Sequence, residues 1–181
     1  PVLQMQNIKD YGKRKRSLVT SYISIQPIEG LDIKGQFGFD IEDFTYDWFK
    51  PMWVNKKARR EARNEHRNDN KFLYQLTATY NLSLGSHNLD FLVGASAEEQ
   101  DWEYTFLDSW DFGSDDIQTF NAATAFRNWD DYEMEASLQS YFGRAVYNFD
   151  DKYLVNFTIR RDGSSKFGEN NKWGVFPAAS V

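Results

Sequence analysis

Between Glu98 and Glu135 the chain carries twelve carboxylates against a single arginine, interleaved with aromatic rings in the run DWEYTFLDSWDFGSDDIQTF. Rings offer flat apolar faces on which a sugar ring can stack, and carboxylates and amides accept hydrogen bonds from hydroxyls. Trp102, Tyr104, Trp110, Asp111, Asp115 and Asp116 are therefore candidate contacts for a ligand or for a capping partner. Two other readings stay open. Asp108, Asp111, Asp115 and Asp116 are oxygen donors of the kind calcium takes, although their spacing fits no EF-hand loop and no glycine stands where that loop requires one. A solvated loop that packs its rings on neighbouring loops would carry the same residues.

The other charged stretches are less specific. Asn55 to Lys71, NKKARREARNEHRNDNK, holds seven Lys or Arg against three acids. It suits phosphate groups of lipopolysaccharide or an anionic substrate, and equally a solvated loop or a short exposed helix held by Glu-to-Arg pairs. Lys13-Arg14-Lys15-Arg16 precedes the first alternating segment and could meet lipid head groups. His66 and His87 are the only histidines, one in an expected long loop and one in an expected tight turn, too far apart to share a metal or a catalytic site. No G-x-S-x-G run, phosphate-binding glycine loop or paired acid and base stands out, and with no cysteine there is no thiolate or disulfide chemistry. The expectation is a chain with no catalytic residues, no metal ligands and no cofactor, hence not an enzyme. A net charge of -6 argues against nucleic acid as a partner.

The elements that must position these residues read as strands. Arg16 to Gln26 alternates Val19, Ile23 and Ile25 with Thr20, Ser24 and Gln26. After Pro27-Ile28-Glu29-Gly30, Leu31, Ile33, Phe37, Phe39 and Ile41 oppose Asp32, Lys34, Gln36, Asp40 and Glu42. A second hairpin sets Phe72, Tyr74, Leu76, Ala78, Tyr80 and Leu82 on one side, turns at Gly85-Ser86-His87-Asn88, and returns with Leu89, Phe91, Val93, Ala95 and Ala97. In the third, Tyr141, Gly143, Ala145 and Tyr147 lead to the turn Phe149-Asp150-Asp151-Lys152, and Tyr153, Val155, Phe157 and Ile159 follow. A period of two is the signature of a sheet whose faces meet different solvents.

A soluble sandwich would show that alternation too. The connections favour a barrel, because turns of about four residues alternate with long connections at Asp43 to Asn70, Glu99 to Ala136 and Arg161 to Trp173. Short turns at one end and long loops at the other is the layout of outer-membrane barrels. The six tryptophans fall at or beyond the long-loop ends, while Tyr80, Tyr147, Phe149 and Tyr153 mark the turn ends as a girdle would. A mean hydropathy of -0.68 beside 17% aromatic residues fits interfacial belts and polar loops. No run approaches the roughly 20 apolar residues of a membrane helix, which says nothing against strands. Pro1-Val2-Leu3-Gln4 has neither the basic end nor the apolar core of a signal peptide, and Ala178 to Val181 stops inside a strand, so the chain reads as a piece of a longer polypeptide.

The run YFGRAVYNFDDKYLVNFTIRRDGSSKFGENNKWGVFPAASV resembles the barrel of the SusC/RagA-like TonB-dependent transporters of the Bacteroidetes outer membrane. The likeness lies in the SYFGR opening, the hairpin with its K-Y-L, the RRDGSSKFG loop entry and the W-G-x-F-P restart. The resemblance implies an all-β fold, an antiparallel transmembrane β-barrel of the roughly 22-stranded plugged class. Residues 1–181 would be a partial barrel of about six strands plus the start of a seventh, with the plug domain and the remaining strands outside this sequence. It further implies uptake of an oligosaccharide or a peptide, a SusD-like surface lipoprotein, and the TonB complex acting through the plug. Lipid and lipopolysaccharide would surround it in the outer membrane of a Gram-negative cell. Arg160, Arg161 and Asp162 would then be a structural rim network. A passive or adhesive outer-membrane barrel and a soluble carbohydrate-binding β-sandwich are the alternatives.

Overall fold

The computed structural model describes residues 8–54, 59–168 and 171–181. The signal-peptide reading of Pro1 to Gln4 lies outside the described residues, as do the first four residues of the basic stretch, 55–58. Seven strands follow one another: β1 (Lys9–Ile28), β2 (Leu31–Lys50), β3 (Glu61–Leu84), β4 (His87–Phe112), β5 (Ala123–Phe149), β6 (Tyr153–Ser164) and β7 (Trp173–Ser180). They form one sheet in which each strand hydrogen-bonds to the next in chain order. β5 and β6 pair antiparallel with Gly143 opposite Ile159 and Tyr147 opposite Val155; β6 and β7 pair antiparallel with Ile159 opposite Pro177. One sheet excludes the sandwich, which needs two facing layers. No helix among the described residues is long and apolar enough to cross a membrane.

The turns are tighter than the four-residue estimate, because strand pairing continues almost to the reversal. Asp150 and Asp151 take φ of 52° and 53°, the paired positive angles of a hairpin turn whose twist matches its strands. At Gly30 (φ 81°) a Cβ would stand 2.5 Å from the carbonyl oxygen of Asn81, whose amide donates to the Gly30 carbonyl at 2.8 Å. Only glycine fits that approach.

Two of the three expected long loops are largely strand. β2 continues to Lys50 and β3 begins at Glu61, so most of the basic stretch, with His66, is extended sheet and neither loop nor helix. β4 runs to Phe112 and β5 starts at Ala123, which turns most of the acidic aromatic run into strand as well. Four tryptophans placed at loop ends lie within strands, Trp48 on β2, Trp102 and Trp110 on β4 and Trp129 on β5, and Lys13 to Arg16 belong to β1. From Arg63 to Asn70 both faces of β3 are polar, so the hydrophobic period loses its contrast while the pleat itself persists.

Contacts divide the chain into two units. The second unit, residues 18–40, 71–100 and 135–181, has an apolar side with no layer upon it. Ile23 is 76% exposed, Val93 60% and Leu76 58%, and Phe37 packs on Tyr74 with ring centroids 5.3 Å apart. Its other side is polar: Lys34 lies 4.4 Å over the Tyr22 ring, Ser24 donates to Asp32, and Arg160 holds both oxygens of Asp162. A continuous exposed apolar band backed by a wet face is what lipid on one side and water on the other require. The membrane-spanning segments are therefore the strand portions of this unit.

The first unit holds the described residues of 1–17, 41–70 and 101–134. The buried apolar residues among those described, Phe49, Val54, Ala62 and Phe112, all belong to it. Phe49 and Phe112 meet edge to face with centroids 5.4 Å apart.

Candidate functional site

On a strand, residues two or four apart point to the same side. Arg63 and Arg67 on β3 therefore share a side, and each meets rings from neighbouring strands. Arg67 sits 5.6 Å from the centroids of both Phe44 and Tyr104, and Arg63 5.2 Å from that of Trp48. Trp110 lies between two guanidinium groups, Arg59 at 4.2 Å and Arg127 at 4.8 Å. Each such contact holds a cation against the negative face of a ring.

Beside these lies an all-aromatic group. Trp102 stacks on Tyr104 with planes 3° apart and centroids 5.8 Å apart, and Tyr132 from β5 leans on both, at 4.9 Å and 5.1 Å. Tyr132 stays 44% exposed, leaving part of the group open to solvent. Desolvation raises the Tyr104 phenol above its ordinary pKa, and the charge of Glu65 adds to the shift, so it remains a neutral donor.

The carboxylates divide differently. Asp108, 7% exposed, faces Arg63 at 3.7 Å and Arg127 at 3.4 Å, and Arg127 also reaches Glu61 at 3.5 Å. Asp111 pairs with Arg59 at 3.1 Å. Asp115 accepts from Arg60 Nε at 2.7 Å and from the Met52 amide at 3.2 Å, while Arg60 Nη1 donates to the Phe112 carbonyl at 2.8 Å. The Asp116 amide donates to Ser114 Oγ at 3.1 Å. Three of the four aspartates considered for calcium thus point at arginines, and among the described residues no group of three His, Cys, Asp or Glu converges as metal ligands. The carboxylates of Asp111 and Asp115 are engaged by arginines, and Trp102 and Tyr104 come together.

Tyr132 and Phe44 were missed by sequence reasoning, which read Arg63 and Arg67 only as part of the basic stretch and Trp48 only as a loop-end tryptophan. The signal was present in the spacing of Arg59, Arg63 and Arg67, four residues apart, which is compatible with one side of a strand as well as with a helix. The rim network expected of Arg160, Arg161 and Asp162 is split by the pleat. Arg160 bonds Asp162 at 2.7 Å and Ser140 Oγ at 3.0 Å, whereas Arg161 lies 4.6 Å over the Trp173 ring. His66 approaches Asp43 at 3.8 Å, and His87 Nδ1 is 2.8 Å from the Tyr147 hydroxyl.

The sequence is 35% identical over 164 residues, 88% of this chain, to TonB-dependent receptor P3 of Formosa agariphila. It is 34% identical over 108 residues to TonB-dependent receptor SusC of Bacteroides thetaiotaomicron. The fold superposes on the RagAB peptide transporter with a TM-score of 0.89 and 25% identity over 96% of this chain. The chain belongs to the SusC/RagA-like TonB-dependent receptors. Its seven strands are part of such a receptor's barrel, set in the outer membrane. The barrel of the unliganded ferric citrate transporter FecA, at 9% identity and a TM-score of 0.57, shares the fold alone. No family model matches the chain. This SusC/RagA-like segment spans 16% of the length of the Formosa receptor and 20% of the RagAB chain it matches.

Proposed function

We propose that the whole receptor actively imports a large nutrient across the outer membrane, in a TonB-dependent manner and without covalent change to the cargo. The carrying observation is the 35% identity to a TonB-dependent receptor across 88% of this chain. The remaining strands and a plug domain lie outside this sequence in the proposal, because seven strands cannot close a barrel with a wet lumen; such barrels need roughly 16 to 22. A SusD-like surface lipoprotein caps the extracellular side, and the TonB complex acts on the plug.

The cargo we propose is an oligosaccharide. Trp102, Tyr104 and Tyr132 offer ring faces on which a sugar ring can stack, with Tyr132 44% exposed. A peptide is the second reading, favoured by the fold's likeness to a structure described as a peptide transporter.

The test is uptake of fluorescent oligosaccharides and peptides by cells carrying the full-length receptor with its neighbouring lipoprotein. Uptake of an oligosaccharide that stops on adding a protonophore is expected. Uptake indifferent to the protonophore would instead make the protein a passive barrel, and uptake of peptides alone would replace the cargo.

A further inference from the structure

The apolar side of the second unit is not smooth. A trough of about 670 Å³ crosses it from β1 to β5, within the roughly 300–1,000 Å³ of small-molecule sites. Its low points are small residues, Gly35, Ala95 and Ala97, and its walls are Phe37, Tyr74 and Tyr141. A Cβ placed on Gly35 would meet no atom within 4 Å, so that part of the recess is open.

Tyr141 links the trough to a cation. It pairs with Arg161 across β5 and β6, and its ring stacks on Trp173 with centroids 6.0 Å apart. Arg161 lies over the same Trp173, exposed, and among the described residues no carboxylate pairs with it. Its neighbour Arg160, on the opposite side, is engaged by Asp162 and Ser140. An outward arginine beside an apolar trough is costly in hydrocarbon unless it lies at the headgroup boundary. Arg161 stands eight positions after Tyr153, where β6 leaves the tight turn. A tilted strand needs about 9–11 residues to cross, and in these barrels the tight turns are periplasmic. That places Arg161 at the phosphate level of the extracellular leaflet.

We propose that this side holds one lipid A moiety of lipopolysaccharide, with an acyl chain along the trough at Gly35, Ala95 and Ala97 and a phosphate on Arg161. A guanidinium grips a phosphate through two parallel N–H bonds, and the Trp173 ring under it fixes the plane in which the fork is presented. The site is independent of the cargo and of energy coupling, because it lies on the lipid-facing side and needs only the barrel.

The experiment is binding of bis-phosphorylated lipid A to the full-length receptor in detergent micelles, followed by native mass spectrometry. Three variants are compared: Arg161→Gln, Arg161→Lys and Gly35→Leu. Heat-modifiable mobility on gels confirms that each barrel is folded. Binding should fall about tenfold in Arg161→Gln, the loss of one charge-assisted contact, and stay within about threefold of the parent in Arg161→Lys. Gly35→Leu, which fills the trough and leaves the charge, should weaken binding as well. Folded variants that bind lipid A like the parent would overturn the proposal, and so would equal binding of dephosphorylated lipid A. Preference for a zwitterionic phospholipid over lipid A would also overturn it.

Discussion

Trp102 and Tyr104, two positions apart on one strand, lie with ring planes 3° from parallel and centroids 5.8 Å apart. Side chains at i and i+2 share a side of the sheet, so their rings form a ledge along β4 that Tyr132 extends onto β5.

Removing part of that ledge should weaken cargo and spare the fold. Trp102→Ala in the full-length receptor is expected to lower affinity for its cargo about fivefold, near 1 kcal/mol for one aromatic face. Calorimetric titration with the transported ligand measures it, and unchanged affinity would move the binding surface elsewhere.

Arg60 ties three pieces of backbone together through Asp115, Phe112 and Met52. Arg60→Ala leaves the Asp115 carboxylate and the Phe112 carbonyl short of a donor, at a local cost of about 1.5–3 kcal/mol. Hydrogen exchange at the Met52 amide should accelerate by about tenfold or more, while amides of β6 keep their protection.

Neighbouring arginines on β6 should behave unequally. Arg160→Ala strips a partner from Ser140, whose exposure is 0%, and from Asp162, and should cost about 1–2 kcal/mol in urea unfolding from micelles. Arg161→Ala loses only a cation–ring contact and should cost about 0.5 kcal/mol. Equal costs would contradict the split of the two residues between opposite sides of the sheet.

Gly30 closes the first hairpin where a Cβ would collide with the carbonyl of Asn81. Gly30→Ala should destabilise by about 1–3 kcal/mol through the positive φ, and more if the turn cannot shift. The fraction of heat-modifiable, folded receptor in outer-membrane preparations is the readout.

The spans of Leu31 to Ile41, Phe72 to Leu82 and Tyr153 to Ile159 were legible in linear order, because a pleat with lipid on one side writes a period of two into the residues themselves. So was the order of neighbours, since tight turns leave adjacent segments no other partner. The basic and acidic stretches were not legible as strands. The basic stretch is polar on both sides, and in the acidic stretch carboxylates break up the alternating rings; what extends both is pairing between distant positions, Arg63 and Arg127 with Asp108, and Asn64 Nδ2 with Asp47 Oδ1 at 2.6 Å.

The same holds for the candidate site. Its ring and carboxylate types stood in the chain, but their roles depended on which cation each would meet. Asp111 and Asp115 meet arginines, while Trp102 and Tyr104 meet another strand's tyrosine. Local alternation needs only the backbone's own geometry and is written residue by residue. A partner across a sheet is chosen by register, and register exists only once the strands have come together.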